Sequence, residues 1–155
     1  MSIANTPRFL DPAGREVRIA WRLFAGAIVL VIVSGIWSMI VGTASPGADE
    51  KDLVRGWEGV LRNIPGYLLP VLAASLGVWF STKAGLHGSP RANSALIATS
   101  LVLLFAMSSV TRDAAETVMT TRAASVSWLT FGIDTVIVGM VFLAARRQIH
   151  HSSSH

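Results

Sequence analysis

The sequence predicts an all-α polytopic membrane protein: a four-transmembrane-helix bundle with an amphipathic helix on the outer surface between spans 1 and 2. Three observations predict it. Four apolar stretches, at about residues 19–43, 66–82, 93–111 and 125–145, are each close to the ~20 residues that cross a bilayer. Charged residues are only 14% of the chain and apolar ones 52%, whereas a soluble domain carries about 25% charge. The charges fall in the gaps between the apolar stretches, and those gaps are too short to hold a separate soluble domain. The 155 residues therefore read as a single membrane domain.

Residues 1–18 are polar, with Pro7, Pro12, Gly14 and three arginines. They are expected as a tail in which Asp11-Pro12 starts at most a short helix. The apolar run that follows is longer than the ~7–15-residue core of a signal peptide, so it is expected as an uncleaved first span.

Residues 48–63 carry the outer surface helix. Asp49 is placed as N-cap, with Asp52 three residues on. Leu53, Trp57, Val60 and Leu61 recur on one face, while Lys51, Arg55, Glu58 and Arg62 occupy the other. Such a helix lies at a membrane surface. It either covers the end of the bundle or docks a partner, and the four apolar residues are the candidate docking face.

Ile64-Pro65-Gly66 is expected to stop that helix, and span 2 follows with Pro70 in its first turn, where a missing N–H costs little; a helix that instead begins before Pro65 would be kinked at Pro65 and Pro70. Residues 83–91 form a short loop with Gly85, Gly88 and Pro90, and His87 stands in it as an isolated loop residue. Span 3 is expected to continue as a helix past the bilayer through Arg112, Asp113 and Glu116. Span 4, SVSWLTFGIDTVIVGMVFLAA, ends at Arg146-Arg147. Residues 146–155 are expected as a polar tail. Its three histidines have no acidic or further histidine partner nearby, so no metal site is expected.

Charge sets the expected orientation. Arg8, Arg15, Arg18, Arg22, Lys83, Arg91, Arg146 and Arg147 lie on the side of the termini, with Asp11 and Glu16. Lys51, Arg55, Arg62, Arg112 and Arg122 lie opposite, with Asp49, Glu50, Asp52, Glu58, Asp113 and Glu116. The terminal side is then +6 and the other −1, with Asp134 between them completing the net +4. Basic residues mark the cytoplasmic side, so a bacterial inner-membrane protein with both termini in the cytoplasm is expected. Trp21 and Trp79 near one interface, and Trp37, Tyr67 and Trp128 near the other, fit the two aromatic belts of a membrane protein. The excess basic charge is thereby explained by anchoring, and no nucleic-acid partner is expected. The lipid bilayer and other membrane subunits are.

Asp134 is the one carboxylate within the four apolar stretches. It sits about nine residues into span 4, roughly 13 Å deep at 1.5 Å per residue. Ser34, Ser75, and Thr99 or Ser100 are expected at comparable depth, with Thr130 one turn away on the same helix. A carboxylate in hydrocarbon costs about 2.5–3.5 kcal/mol on insertion scales. Asp134 should therefore face the bundle interior or a partner and be protonated or hydrogen-bonded by these hydroxyls. The group could be a proton or substrate site, an interhelical clamp, or a partner contact. Ser34 with Ser38, Ala73 with Gly77, and Gly132 with Gly139 offer small faces for close helix approach.

Nothing in the chain reads as an enzyme. Nucleophile elbows, Gly-rich phosphate loops, HExxH pairs, cysteines and Cys/His clusters are absent from the sequence. No acidic cluster fits a metal-dependent lipid-headgroup transferase, and no cofactor is expected. Four-span proton-coupled exporters of the small multidrug resistance type carry one essential intramembrane carboxylate. Theirs is a glutamate in the first span, however, and residues 44–63 make a longer loop than theirs. The stretches GVWFSTKAGLHG from Gly77 and TRDAAETVMTTRAASVSW from Thr111, in an Arg-rich, Cys-free, four-span chain, resemble small mycobacterial inner-membrane proteins, among them the accessory subunit of MCE-type lipid importers. That resemblance implies a subunit packed beside a permease or the membrane helices of a substrate-binding protein, with no transport path of its own. The expected function is thus an accessory or stabilising subunit of an inner-membrane complex. The alternative is a small proton-coupled transporter or channel, working as a homo-oligomer with Asp134 as coupling acid.

Overall fold

A computed structural model describes residues 12–43, 56–119 and 124–152. The fold is an all-α four-helix bundle: α1 is Pro12–Thr43, α2 Gly56–Leu86, α3 Ala92–Met119 and α4 Ala124–Ser152. Each helix is long and apolar enough to cross a membrane. No strand occurs among the described residues.

Three helix bounds differ from the sequence expectation. Helix α1 begins at Pro12, so residues 12–18 are its first two turns rather than tail. The fixed φ of proline suits the first helical position, and Ala13, Val17 and Ala20 give those turns a buried apolar side. Helix α2 begins at Gly56 and passes through Pro65 and Pro70 without a break. A separate surface helix stopped at residues 64–66 is therefore corrected: residues 56–63 are the first turns of α2. Each proline removes one N–H from the ladder. Membrane helices tolerate that loss because neighbouring groups re-satisfy the freed carbonyl. Of the expected docking face, Leu53 lies outside the described residues, as do the side chains of Trp57, Val60 and Leu61. Helix α4 runs on to Ser152, so residues 146–152 are helix rather than tail. The continuation of α3 past Arg112 is present, to Met119.

Helices α1, α2 and α3 pack against one another, and α4 packs on α3 and α2. Among the described residues α1 and α4 do not meet. Buried positions recur at helical spacing and are mostly small: Ala27 on α1, Ala74 and Val78 on α2, Leu96 and Val102 on α3, and Val138 and Ala145 on α4. Small interfacial residues let backbones approach where lipid removes the hydrophobic drive for association. The nearest approaches involve two glycines of α2. A Cβ built on Gly77 would lie 2.7 Å from Thr99 Cγ2, and one on Gly85 would lie 2.5 Å from Ile149 Cδ1. Of the small faces expected from sequence, the one containing Gly77 is an inter-helix contact of this kind; at Gly132 and Gly139 a Cβ would meet nothing within 4 Å, and the Ser38 side chain lies outside the described residues. The remaining surface is broadly apolar, with Val29, Ile32 and Val33 on α1, Leu72 and Leu76 on α2, and Ile133, Val136 and Met140 on α4 all exposed. A helix apolar on nearly all sides belongs in hydrocarbon or against other membrane helices.

The α2–α3 turn closes one end of the bundle. The Ser89 N–H donates to Ala84 C=O (3.0 Å) and the Gly88 N–H to Gly85 C=O (3.0 Å), the paired bonds of a Schellman cap. Gly88 has φ +77°, the left-handed value this cap needs and that glycine adopts without a Cβ penalty. His87 is thereby fixed one residue ahead of the reversal.

Candidate polar sites

Asp134 is 1% exposed, one of the most buried side chains in the described structure. Its partner is on α3: the Thr111 hydroxyl lies 2.5 Å from Asp134 Oδ2. The same hydroxyl is 3.0 Å from Met107 C=O and 3.4 Å from Ser108 C=O. A hydroxyl has one proton, so it serves one of these acceptors at a time. The contact joins residues 23 apart in sequence and ties α3 to α4 near the end of the bundle opposite the Gly88 turn.

Of the polar layer expected around Asp134, Thr99 and Ser100 lie at another level. Thr99 and Ser100 are buried, but they lie eleven or twelve residues before Thr111 on α3, which is roughly 17 Å along a helix. Thr99 turns its hydroxyl back to Ala95 C=O (2.8 Å) and Leu96 C=O (3.3 Å), and its methyl fills the notch at Gly77. Ser100 Oγ is buried with no hydrogen-bond partner, as is Ser108 Oγ. Ser75 is exposed, whereas Ser34 and Thr130 are half-buried. The helices are thus staggered differently from the simple matching of span centres. Thr111, read from sequence as a bilayer-edge residue, is level with the acid.

A second cluster, absent from the sequence reading, sits at the Gly88 end. Glu16 on α1 is 7% exposed. The His87 Nδ1 is 2.7 Å from its Oε2, and Lys83 Nζ is 3.4 Å from its Oε1. Lys83 also lies over the Trp79 ring, 5.3 Å from its centroid, within cation–π range. His87 is therefore not an isolated loop residue. It joins the α2–α3 turn to α1 across 71 positions of sequence. Val17, Ala84 and Ala92 pack as a small apolar cluster at the same end. The available signal was the register of Glu16, which shares a helical side with Ala13 and Ala20. No local pattern marks His87.

Neither cluster has the ligand set of a metal centre. Among the described residues no group of three His, Asp or Glu side chains converges. The chemistry the two clusters support is hydrogen bonding and ion pairing between helices. No family model, no curated protein and no solved structure matches the chain.

Proposed function

We propose that this chain is a non-catalytic accessory or stabilising subunit of a larger bacterial inner-membrane complex, with both termini in the cytoplasm. Lipid import is the class of transport that the sequence resemblance favours. The observation that carries this reading is the setting of Asp134. The span carboxylate is 1% exposed and engaged by Thr111 at the α3–α4 seam, the situation of an interhelical tie rather than of a group that must alternately meet two aqueous sides. The outward side of α4 is consistent with a neighbour in the membrane. Trp128, Leu129, Gly132, Ile133, Val136 and Ile137 line an apolar groove of about 390 Å³ there.

Extraction of native membranes in a mild detergent, followed by sizing and mass spectrometry, tests the reading. The chain should migrate in a large assembly at fixed stoichiometry with other gene products. Migration as a small homo-oligomer would overturn the proposal.

A further inference from the structure

The last two turns of α4 carry an exposed basic surface on the side turned away from Ala145 and Ile149. Arg146, Arg147, His150 and His151 recur at i, i+1, i+4 and i+5, and the helix runs unbroken through Ser152. Spacings of three and four place side chains on one helical side. The rotation of α4 is fixed by its opposite side, where Ala145 is buried and Ile149 packs on Gly85. All four basic side chains are exposed. With Leu143 they line an opening of about 500 Å³.

We propose that this opening binds the headgroup of an anionic phospholipid. Its lining changes character along the helix axis. Leu143, one turn toward the apolar span, is exposed, and Met140 is exposed one turn further in. The arginines and histidines lie beyond them, toward the end of the helix. A phospholipid has that same order: acyl chain, then phosphate, then water. Guanidinium forks match phosphate oxygens two at a time, and basic positions flanking a span attract anionic lipid. Among the described residues of α4 the acid nearest the two arginines is Asp134, twelve residues before Arg146, roughly 18 Å along a helix. Glu16, the buried acid at this end of the bundle, is already engaged by His87 and Lys83. Leu143 and Met140 face the acyl chains of the membrane, so a phosphate joined to such chains meets the arginines and the apolar wall together, whereas a free phosphate would meet the arginines alone.

The test is lipid retention by the purified full-length protein, read by native mass spectrometry with phosphatidylglycerol and phosphatidylcholine of matched chains. Phosphatidylglycerol should be retained roughly tenfold over phosphatidylcholine at low salt, with the preference shrinking as salt rises. The double variant Arg146→Gln/Arg147→Gln should lose the preference. Arg91→Gln, which removes an exposed cation at the α2–α3 turn, should keep it. Circular dichroism checks that the variants remain helical, and Arg146→Lys/Arg147→Lys, which keeps the charge, should retain part of the preference. Equal retention of the two lipids would overturn the proposal, as would a preference that survives the double Gln variant. Displacement of the lipid by inorganic phosphate at matched concentration would also overturn it, by making phosphate the ligand.

Discussion

Replacing Lys83 by Met and His87 by Leu together should destabilise the protein more than replacing Glu16 by Gln. Glu16 is the buried member of the cluster, with its side chain 9% exposed, while Lys83 and His87 are 45% and 41% exposed. Their mutual attraction is partly screened by water, so the pairs themselves contribute little. The larger loss comes from leaving a carboxylate inside the bundle with nothing to bond to, roughly 1–3 kcal/mol, at the upper end for a charged group. Glu16→Gln removes the charge and keeps an oxygen for the His87 ring, so its loss should be about 1 kcal/mol or less. Unfolding in detergent, followed by circular dichroism against denaturant, measures both. A Gln variant as damaged as the double variant would mean that Glu16 does not depend on its two partners.

Gly77→Ala should lower stability by about 1–3 kcal/mol, the range for overpacking a tight contact. The added methyl would lie 2.7 Å from Thr99 Cγ2 and 3.2 Å from Thr99 Cβ. A β-branched side chain in a helix has little rotamer freedom with which to retreat, and Thr99 is fully buried and bonded to its own helix. Helices α2 and α3 would have to part. Thr99→Ser deletes the offending methyl, so in the Gly77→Ala background it should restore much of the loss. Alone, Thr99→Ser should cost about 1 kcal/mol or less for the void it leaves. Strictly additive losses in this double-mutant cycle would show that the two side chains do not share the contact.

The four spans were legible because hydrocarbon imposes one demand that composition reports directly: about 20 apolar residues per crossing. Helix ends were less so. Pro12 and Pro65 carry the same local signal, yet one starts α1 and the other lies inside α2. What separates them is whether the flanking turns are supported by packing and by the surrounding membrane, which single residues do not encode. Arg146 and His150 read as tail by polarity, while Ile149 anchors that segment against Gly85. Asp134 was identified as the buried acid, but its partner was not. Finding Thr111 requires the stagger of α3 against α4, and matching span centres misplaces it by about three turns. Glu16 and His87 are individually ordinary, and only the closure of the α2–α3 turn onto α1 makes them a pair.

Proton flux through liposomes carrying only this chain tests the account most directly. Purified protein, reconstituted with a pH-sensitive dye inside the vesicles, should pass no more protons under an imposed gradient than empty liposomes do, and Asp134→Asn should behave identically. Gradient-driven flux that disappears in Asp134→Asn would contradict the account and make the carboxylate beside Thr111 a transport site rather than a tie between α3 and α4.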